Sequence, residues 1–352
     1  FGTIVAANIS PDVETGIGAW SYPAFERAMR QGVRRDGRHL YPAHPYTSFA
    51  RADEADIQAL YAYLMAAPPA RNAVAESKLA FPFSIRGLMA GWNALYLKPS
   101  SVTDATKSSA WNRGAYLVES LGHCSACHSE RNMVGAELDG TAHLAGGFAE
   151  GWEAPAIRGR GKSPAGWIED ALYDYLRQGY SSDHGAANGP MAEVVKSLQP
   201  LPDEDIRAMA IYLSDGMRNE TAAARKATAL DAARAAEAKA ALAEPAGARL
   251  FEGACTACHA GGTPLADLAL NTNLHSDRPD NLLQTILNGA EAPAALAKHA
   301  TAEQLEVMSM PAFRQSFSDR QLADLAAYLR ARFAPDKAPG GGLRDAAERV
   351  RG

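Results

Sequence analysis

The sequence is short of several features that would identify common protein classes. It contains four cysteines in 352 residues, and no run of about 18 apolar residues that would predict a membrane-spanning helix. Basic residues are not in excess, because 35 Lys and Arg stand against 40 Asp and Glu for a net charge of -5. A nucleic-acid-binding protein needs a basic surface, so we expect no nucleic-acid partner. The length predicts two or three domains at roughly 100–200 residues each.

What is present lies in the arrangement of those four cysteines. Residues 124–128 and 255–259 both read C-x-x-C-H, the pattern of c-type haem attachment. Two thiols one helical turn apart add to the haem vinyl groups, and the adjacent histidine ligates the iron. Because bacteria attach haem c outside the cytoplasm, the motif also predicts an exported protein. The predicted haem-binding residues are Cys124, Cys127, His128, Cys255, Cys258 and His259.

Two other interpretations of the cysteines explain less. A Cys₄ zinc site usually has its two pairs about 12–20 residues apart, whereas Cys124 and Cys255 lie 131 residues apart. A thioredoxin-type redox motif has no need of the histidine and belongs to a strand–helix context. Neither interpretation accounts for a histidine at the same offset in both motifs, so we favour haem.

A repeated helical pattern predicts an all-α protein. Residues 56–64, 205–213 and 321–329 each have apolar residues at i, i+3, i+4 and i+7 spacing. Upstream of each segment, another predicted helix ends in a glycine, which commonly terminates helices. These glycines are Gly32, Gly179 and Gly289.

The loop between the two helices of each repeat has to cross the haem and supply the sixth iron ligand. Methionine is a common ligand in cytochromes c. Repeat two offers Met191, which lies 12 residues after Gly179. Repeat three offers Met308 and Met310, and the spacing alone does not choose between them.

Repeat one differs from the other two in two respects. The same step of 12 residues from Gly32 leads to His44 instead of a methionine, and no C-x-x-C-H motif belongs to this repeat. We expect an upstream half-domain with a third haem motif to precede Phe1. A degenerate domain that has lost its haem is the alternative.

Several segments together resemble the tri-haem cytochrome c subunits of membrane-bound periplasmic dehydrogenases of bacteria. They are residues 111–128 (WNRGAYLVESLGHCSACH), residues 1–4 (FGTI), residues 8–12 (NISPD) and residues 146–148 (GGF). The resemblance covers nearly the whole chain, and in this family the first haem motif precedes the Phe-Gly-Thr-Ile segment. It implies three tandem class I-like cytochrome c domains, the first without its N-terminal helix and haem motif.

The repeats and the resemblance give a domain layout. The expected segments are 1–66 (C-terminal part of domain 1), 67–110 (linker), 111–218 (domain 2), 219–245 (helical, solvated linker), 246–333 (domain 3) and 334–352 (flexible tail). Within the first linker, residues 81–93 are too apolar for a free linker. They serve either in core packing, which we favour, or as a surface for a partner or the bilayer.

The resemblance implies an electron-transfer subunit without substrate chemistry of its own. Such subunits take electrons from a catalytic subunit that carries molybdopterin, PQQ or flavin, in some complexes beside an iron-sulfur subunit, and pass them to ubiquinone or another acceptor. The loop 183–191 looks most like cytochromes of molybdenum-hydroxylase-type aldehyde dehydrogenases, with quinoprotein alcohol dehydrogenases next. The family implies peripheral attachment to the periplasmic side of the inner membrane, in contact with the membrane surface.

The resemblance also bears on the sixth ligands. The family's Met-Pro-x-Phe pattern matches Met310, and Met191 is expected to ligate the second haem. Where the family often has methionine in Tyr-Pro-Ala-Met-Pro-Tyr, this chain has His44, so a bis-histidine first haem of low potential is expected. Packing near the haem is the alternative role of His44. We expect five further histidines at the surface or at a haem edge: His123, His143, His184, His275 and His299. Trp152 either contacts a propionate or the haem edge, or serves only in packing.

Two other functions fit the motifs less well. A di-haem peroxidase-like enzyme would need one iron without its methionine ligand, and rapid binding of carbon monoxide would reveal it. A free soluble electron shuttle usually has one domain, whereas this chain has three fused repeats. We therefore expect two haems c attached through this sequence, with a third in domain 1.

Overall fold

The computed structural model describes residues 2–158, 162–217, 219–260, 265–293, 309–337 and 342–352. Within these ranges the protein is mainly helical, as predicted, with only short strands. The chain divides into two compact units. Unit 1 comprises Phe1–Ala126 and Arg131–Glu137, and unit 2 comprises Cys127–Glu130 and Leu138–Gly352.

The helices follow the predicted repeats. The α-helices are α1 (Tyr22–Gln31), α2 (Tyr46–Phe49), α3 (Glu54–Ala66), α4 (Leu88–Tyr96), α5 (Ser109–Tyr116), α6 (Ser125–His128), α7 (Glu169–Gln178), α8 (Pro190–Leu198), α9 (Asp203–Leu213), α10 (Asn219–Ala243), α11 (Pro245–Ala254), α12 (Thr256–His259), α13 (Thr272–His275), α14 (Asp280–Asn288), α15 (Asp319–Phe333) and α16 (Leu343–Arg351). Leu117–Leu121 form a π-helical turn, and Gly140–Ala142 and Leu268–Leu270 form 3₁₀ turns.

The described strands form three antiparallel pairs. They are β1 (Gly2–Thr3) with β2 (Lys78–Leu79), β3 (Gly147–Ala149) with β4 (Trp152–Ala154), and β5 (Tyr180–Ser181) with β6 (Gly185–Ala186). In the third pair, Tyr180 lies opposite Ala186 and Ser181 opposite Gly185. This hairpin follows α7 directly and leads into the predicted ligand loop of repeat two.

In unit 1, helix α1 ends at Gly32, which adopts φ 62° and ψ 34°. This left-handed conformation costs glycine little. The ring of Tyr46 packs directly over Gly32, so that a Cβ at position 32 would lie 2.6 Å from a ring carbon. Tyr46 is fully buried, and its hydroxyl donates to Asn93 Oδ1 at 2.7 Å. The contact fixes the loop after α1, which carries His44.

In unit 2, helix α15 packs against α10, α11, α14 and α16. It begins with a capping box, in which Ser318 Oγ accepts from the Gln321 amide and the Gln321 side chain accepts from the Ser318 amide. Its apolar face, which includes Leu322 and Leu325, lies in the core of the unit. Helix α11 crosses it closely at Gly247, where a Cβ would lie 2.1 Å from the Asp324 carbonyl oxygen.

Two predictions about connecting segments need correction. The flexible tail expected after residue 333 is wrong for 342–352, because α16 buries Leu343, Ala346 and Ala347 in the core. The solvated linker helix is right in its helicity, but α10 buries Ala233 and Ala240 in the same core. In both segments, small and apolar residues at helical spacing form one face of the helix, and this face packs against the core. The many charged residues of these segments made that face hard to recognise from composition.

The packing that we favoured for residues 81–93 is also wrong for much of that segment. Phe81, Ile85 and Leu88 are exposed, and α4 buries none of its residues fully. None of the described helices is long and apolar enough to cross a membrane.

Candidate haem sites

The second C-x-x-C-H motif lies at the junction of two helices in unit 2. Helix α11 ends at Ala254, and the Cys255 amide still donates to the Phe251 carbonyl at 2.9 Å. The chain then turns into α12, which contains the rest of the motif and ends at His259. Cys255 is partly buried and Cys258 is exposed, so the two thiols lie at the inner and outer edge of this turn.

A cavity of about 110 Å³ opens beside this motif. Cys255, His259 and Met310 all line it, although the methionine lies 51 residues after the histidine. Most of the other lining side chains are apolar. They are Phe251, Leu268, Leu274, Leu282, Ile286, Phe313, Leu325 and Leu329, with Asn271, Asn273 and Thr285 as the polar members. A cysteine and the histidine of the motif therefore share an apolar space with the predicted methionine ligand.

Met310 is held in this wall by its backbone. Its amide donates to the Ala290 carbonyl at 2.8 Å, and its carbonyl accepts from the Ala290 amide at 3.0 Å. Ala290 directly follows Gly289, the glycine that ends α14. The alternative ligand Met308 lies outside the described residues.

The donor set fits a c-type haem better than a zinc ion or a dithiol. Burial lowers the pKa of His259, so the imidazole is neutral, as an iron ligand must be. Burial, with a smaller contribution from Cys258, raises the pKa of Cys255 to about 11, whereas reactive and zinc-binding cysteines are thiolates. Among the residues that the structure describes, no three Cys, His, Asp or Glu side chains converge on one point. The cavity and its residues therefore fit covalent haem.

The first motif follows an unusual helical turn. Helix α5 continues into the π-helical Leu117–Leu121, a geometry that frequently marks functional sites. Glu119 in this turn is buried and pairs with Arg51 at 3.4 Å. Next to Cys124, His123 adopts φ 39°, which is uncommon for a residue other than glycine. The turn thus sets the direction in which the motif leaves the helix.

The imidazole of His128 is oriented by one hydrogen bond. Its Nδ1 lies 2.7 Å from the carbonyl oxygen of Pro155, so Nδ1–H donates and Nε2 carries the free lone pair. Metal-ligating histidines usually have such a partner, which fixes the ring and makes it a better ligand. Burial lowers the pKa of His128 and this hydrogen bond raises it, with burial the larger effect. Sequence reasoning missed Pro155, because no pattern in the primary sequence pairs it with a histidine 27 residues earlier.

The predicted ligand of the second haem lies in the first turn of α8. Gly189 precedes this helix with φ 55° and ψ -141°, a region essentially restricted to glycine. The indole of Trp152 packs over Gly189, so that a Cβ there would lie 2.5 Å from a ring atom. Pro190 then begins the helix, and Met191 follows, partly buried. Trp152 therefore braces the loop that carries Met191.

The two predicted haem segments of unit 2 contact each other through this loop. Asn188 Nδ2 donates to Thr285 Oγ1 at 3.0 Å, and Thr285 lines the cavity of the second motif. Asn188, three residues before Met191, therefore bonds directly to a residue that lines the cavity of the second motif.

In unit 1, His44 lies in a tight turn close to the first motif. Its amide donates to the Tyr41 carbonyl at 3.1 Å. The Phe49 ring lies between two imidazoles, with its centroid 5.5 Å from that of His44 and 5.7 Å from that of His123. Burial, with repulsion from His123 as a smaller cause, lowers the pKa of His44 to about 4. The side chain is therefore neutral and available to a metal at neutral pH.

Two histidines expected at a surface or haem edge, His184 and His275, are instead buried. His184 is buried and stacks on Trp167, with ring centroids 3.6 Å apart and planes 13° apart. Its Nε2 lies 3.0 Å from the Gly166 carbonyl and its Nδ1 lies 3.0 Å from Ser163 Oγ. Both ring nitrogens are thus used within the protein.

In a comparison with known protein families, two family models match this chain. Residues 112–216 match the description "Cytochrome c", and residues 243–329 match "Cytochrome C oxidase, cbb3-type, subunit III". Each matched range contains one C-x-x-C-H motif and the methionine predicted to serve it.

Curated relatives match along almost all of the chain. It is 50% identical to a nicotinate dehydrogenase subunit of Pseudomonas putida, over 100% of this chain and 29% of that protein. It is 35% identical to the fructose dehydrogenase cytochrome subunit of Gluconobacter japonicus, over 94% of this chain and 72% of that protein. It is also 35% identical to the gluconate 2-dehydrogenase cytochrome c subunit of Pantoea cypripedii, over 94% and 77%. The chain thus spans less than a third of the first of these proteins and about three quarters of the other two.

Proposed function

Because the chain belongs to the family of dehydrogenase cytochrome c subunits, we propose that it relays electrons from a catalytic dehydrogenase subunit to a membrane acceptor. Its cofactor is haem c, which supplies one-electron redox chemistry when bound. The observation that carries the proposal is the cavity in which Cys255, His259 and Met310 converge. An iron that both a histidine and a methionine ligate would have no open position for substrate, which suits a carrier.

The residue assignments follow the same reasoning at both motifs. Cys124, Cys127, Cys255 and Cys258 hold the haems covalently. His128 and His259 would ligate the two irons, together with Met191 and Met310. The hydrogen bond from His128 to Pro155 supports the first assignment, because it directs Nε2 away from the protein backbone.

For repeat one, we propose a third haem whose C-x-x-C-H motif lies upstream of the present sequence, with His44 as its sixth ligand. The neutral imidazole of His44 and its position in the loop after α1 support this role. Three cytochrome c domains in one chain, at 1–66, 111–218 and 246–333, then form the relay.

The catalytic partner that we propose is a subunit of the molybdenum-hydroxylase type, with a quinoprotein alcohol dehydrogenase as the second choice. The loop 183–191 favours the first. The similarity to a protein named as a nicotinate dehydrogenase subunit favours it as well and adds N-heterocycles to aldehydes as the substrate class. An iron-sulfur subunit would fit between such a catalytic subunit and these haems.

We further propose that the relay works at the periplasmic side of the inner membrane and delivers electrons to ubiquinone. Covalent haem attachment through C-x-x-C-H supports export.

Purification of the native complex tests the proposal. Mass spectrometry should identify a large dehydrogenase subunit that co-purifies with the chain. Stopped-flow absorbance should then show reduction of haem c when nicotinate or an aldehyde is added, and reoxidation when a soluble ubiquinone analogue follows. Reduction by ethanol alone would favour the quinoprotein partner.

Carbon monoxide distinguishes the carrier from an enzyme with an open iron. The reduced protein should bind it slowly and weakly, because both methionines have to be displaced. Rapid binding at two haems would contradict the carrier function and favour a peroxidase-like enzyme. Isolation of a free monomer with full native activity would favour a soluble shuttle.

A further inference from the structure

Unit 1 carries a row of exposed apolar side chains after helix α3. Phe81 is 81% exposed and Leu95 is 69% exposed, and Ile85 and Leu88 are exposed as well. Leu88 and Leu95 are seven residues apart in α4 and therefore lie on the same face of the helix. No described atom lies within 4 Å of a Cβ built at Gly87 or Gly91. This face of the segment is therefore uncovered in the part of the chain that the structure describes.

The opposite face of α4 is firmly attached to unit 1. Asn93 donates to the carbonyl of Gln31 at 2.9 Å and accepts from the Tyr46 hydroxyl. Trp92 Nε1 donates to the carbonyl of Val134 at 3.0 Å, and its ring centroid lies 6.3 Å from that of Tyr46. The apolar face is thus presented by an ordered helix rather than by a loose loop.

The hydrogen bond from Trp92 joins the helix to a second apolar feature. Val134 lies at the tip of the hairpin 131–137, where Met133 is 92% exposed. Arg131 closes this hairpin by donating to Gly135 and Ala126. We name the combined surface the apolar ledge. It consists of Phe81, Ile85, Leu88, Leu95, Met133 and Val134.

The charge of the segment that carries α4 differs from that of the whole chain. Residues 77–103 contain Lys78, Arg86 and Lys98 and no Asp or Glu, whereas the whole chain has a net charge of -5. Arg86 lies over the Tyr41 ring at 4.6 Å and donates to the His39 carbonyl, which keeps its charge beside the ledge. A basic and apolar segment on an acidic protein is complementary to an anionic lipid surface.

We propose that the apolar ledge lies in the headgroup region of an anionic bilayer and holds the subunit on the membrane surface. Helix α4 has nine residues, too few to span a bilayer, so it lies in the plane of the interface with its apolar face down. In the hairpin that contributes Met133, Arg131 donates to the carbonyl of Ala126, so attachment here brings this part of the first motif close to the lipid surface.

This inference deepens the proposed membrane-side relay and rests on it for the location of the protein. It is tested with the purified holoprotein by flotation with vesicles, which requires no electron transfer. Vesicles of phosphatidylglycerol and phosphatidylethanolamine should carry the protein upward, and pure phosphatidylcholine vesicles should carry less. The variant Phe81→Ser/Leu88→Ser/Leu95→Ser should reduce flotation at least tenfold while its haem spectrum stays unchanged.

A matched control replaces an equally exposed leucine elsewhere. Leu242 in α10 is 84% exposed, and Leu242→Ser should float like the unchanged protein. Flotation of the triple variant equal to that of the unchanged protein would overturn the proposal. The proposal would also be overturned if the unchanged protein did not float and the triple variant no longer bound the catalytic subunit. That result would make the ledge a protein interface. Reduction of haem by the catalytic subunit, measured in detergent, tests the electron relay without a membrane. Membrane attachment through the ledge and the relay can therefore be disproved independently.

Discussion

The side chain of Asn281 forms two hydrogen bonds with the backbone of Glu153. Its Oδ1 accepts from the Glu153 amide at 2.9 Å, and its Nδ2 donates to the Glu153 carbonyl at 2.7 Å. The two residues are 128 positions apart, on strand β4 and helix α14. This pair is one of several hydrogen-bonded contacts that join the two predicted haem segments of unit 2.

Replacing Asn281 should loosen that junction. Asn281→Ala removes these two hydrogen bonds and a longer one, of 3.3 Å, from Nδ2 to Asn273 Oδ1, all at a buried position. At about 1 kcal/mol for each bond, the free energy of unfolding should fall by about 3 kcal/mol. Chemical denaturation of the holoprotein measures it. The control Gln284→Ala removes a single, more exposed bond to Gly151 and should cost less than about 1 kcal/mol. Equal effects of the two variants would contradict the structural role of Asn281.

Gly189→Ala should disturb the Met191 loop. The new Cβ would clash with Trp152, and the backbone conformation costs about 1–3 kcal/mol for a residue other than glycine. We expect the Met-to-iron charge-transfer band of one haem to weaken in the oxidised protein. Gly216→Ala is the control, because Gly216 also has a positive φ of 84° but no described neighbour within 4 Å of an added Cβ. That variant should leave the band intact.

The two methionine candidates of repeat three are separable by substitution. Met310→His should lower the potential of one haem, because replacing a methionine ligand with histidine stabilises the oxidised iron. Met308→His should leave every potential unchanged. Potentiometric titration of the holoprotein, followed by absorbance, provides the measurement. A fall in potential in the Met308 variant alone would reverse the assignment.

His184 should make the stability of unit 2 depend on pH. Burial is the main reason that its pKa falls from 6.5 to about 4, so the folded protein keeps it neutral while the unfolded chain takes up a proton below pH 6.5. Its contribution is present above pH 6.5 and is lost as the pH falls towards 4, by at most about 3 kcal/mol.

The pH dependence of a variant isolates this residue from the other titrating groups. Glutamine at position 184 retains a donor and an acceptor but cannot titrate, so His184→Gln should unfold with a shallower dependence on pH between 6.5 and 4. Thermal unfolding at several pH values provides the comparison. Parallel profiles for the two proteins would show that His184 does not titrate in this range.

His44→Met should raise the potential of the first haem in a protein that carries the upstream motif. A methionine ligand gives a haem a higher reduction potential than a histidine ligand does. The potentials of the two haems assigned to His128 and His259 should not change. Electron paramagnetic resonance of the oxidised protein should show loss of a bis-histidine signal. An unchanged first haem after His44→Ala would mean that His44 only packs near it.

The haem motifs, several helices and the family of this protein could be predicted from its sequence, because each depends on residues that are close together in the chain. The C-x-x-C-H spacing predicted haem c because thioether attachment needs two thiols and a histidine within one helical turn. The pattern of apolar residues predicted the helices that end at Gly32 and Gly179, since both helix periodicity and glycine termination are local properties. The family could likewise be recognised from short contiguous segments.

The tertiary structure decided which distant residues meet and which surfaces stay open. Pro155 orients His128, and Asn281 joins Glu153, although neither pair has a sequence signature. The same holds for burial. Helix α16 packs although its composition suggests a mobile tail, whereas α4 is apolar and exposed. Burial depends on whether another part of the chain covers a surface, and the sequence by itself states only what each surface is made of.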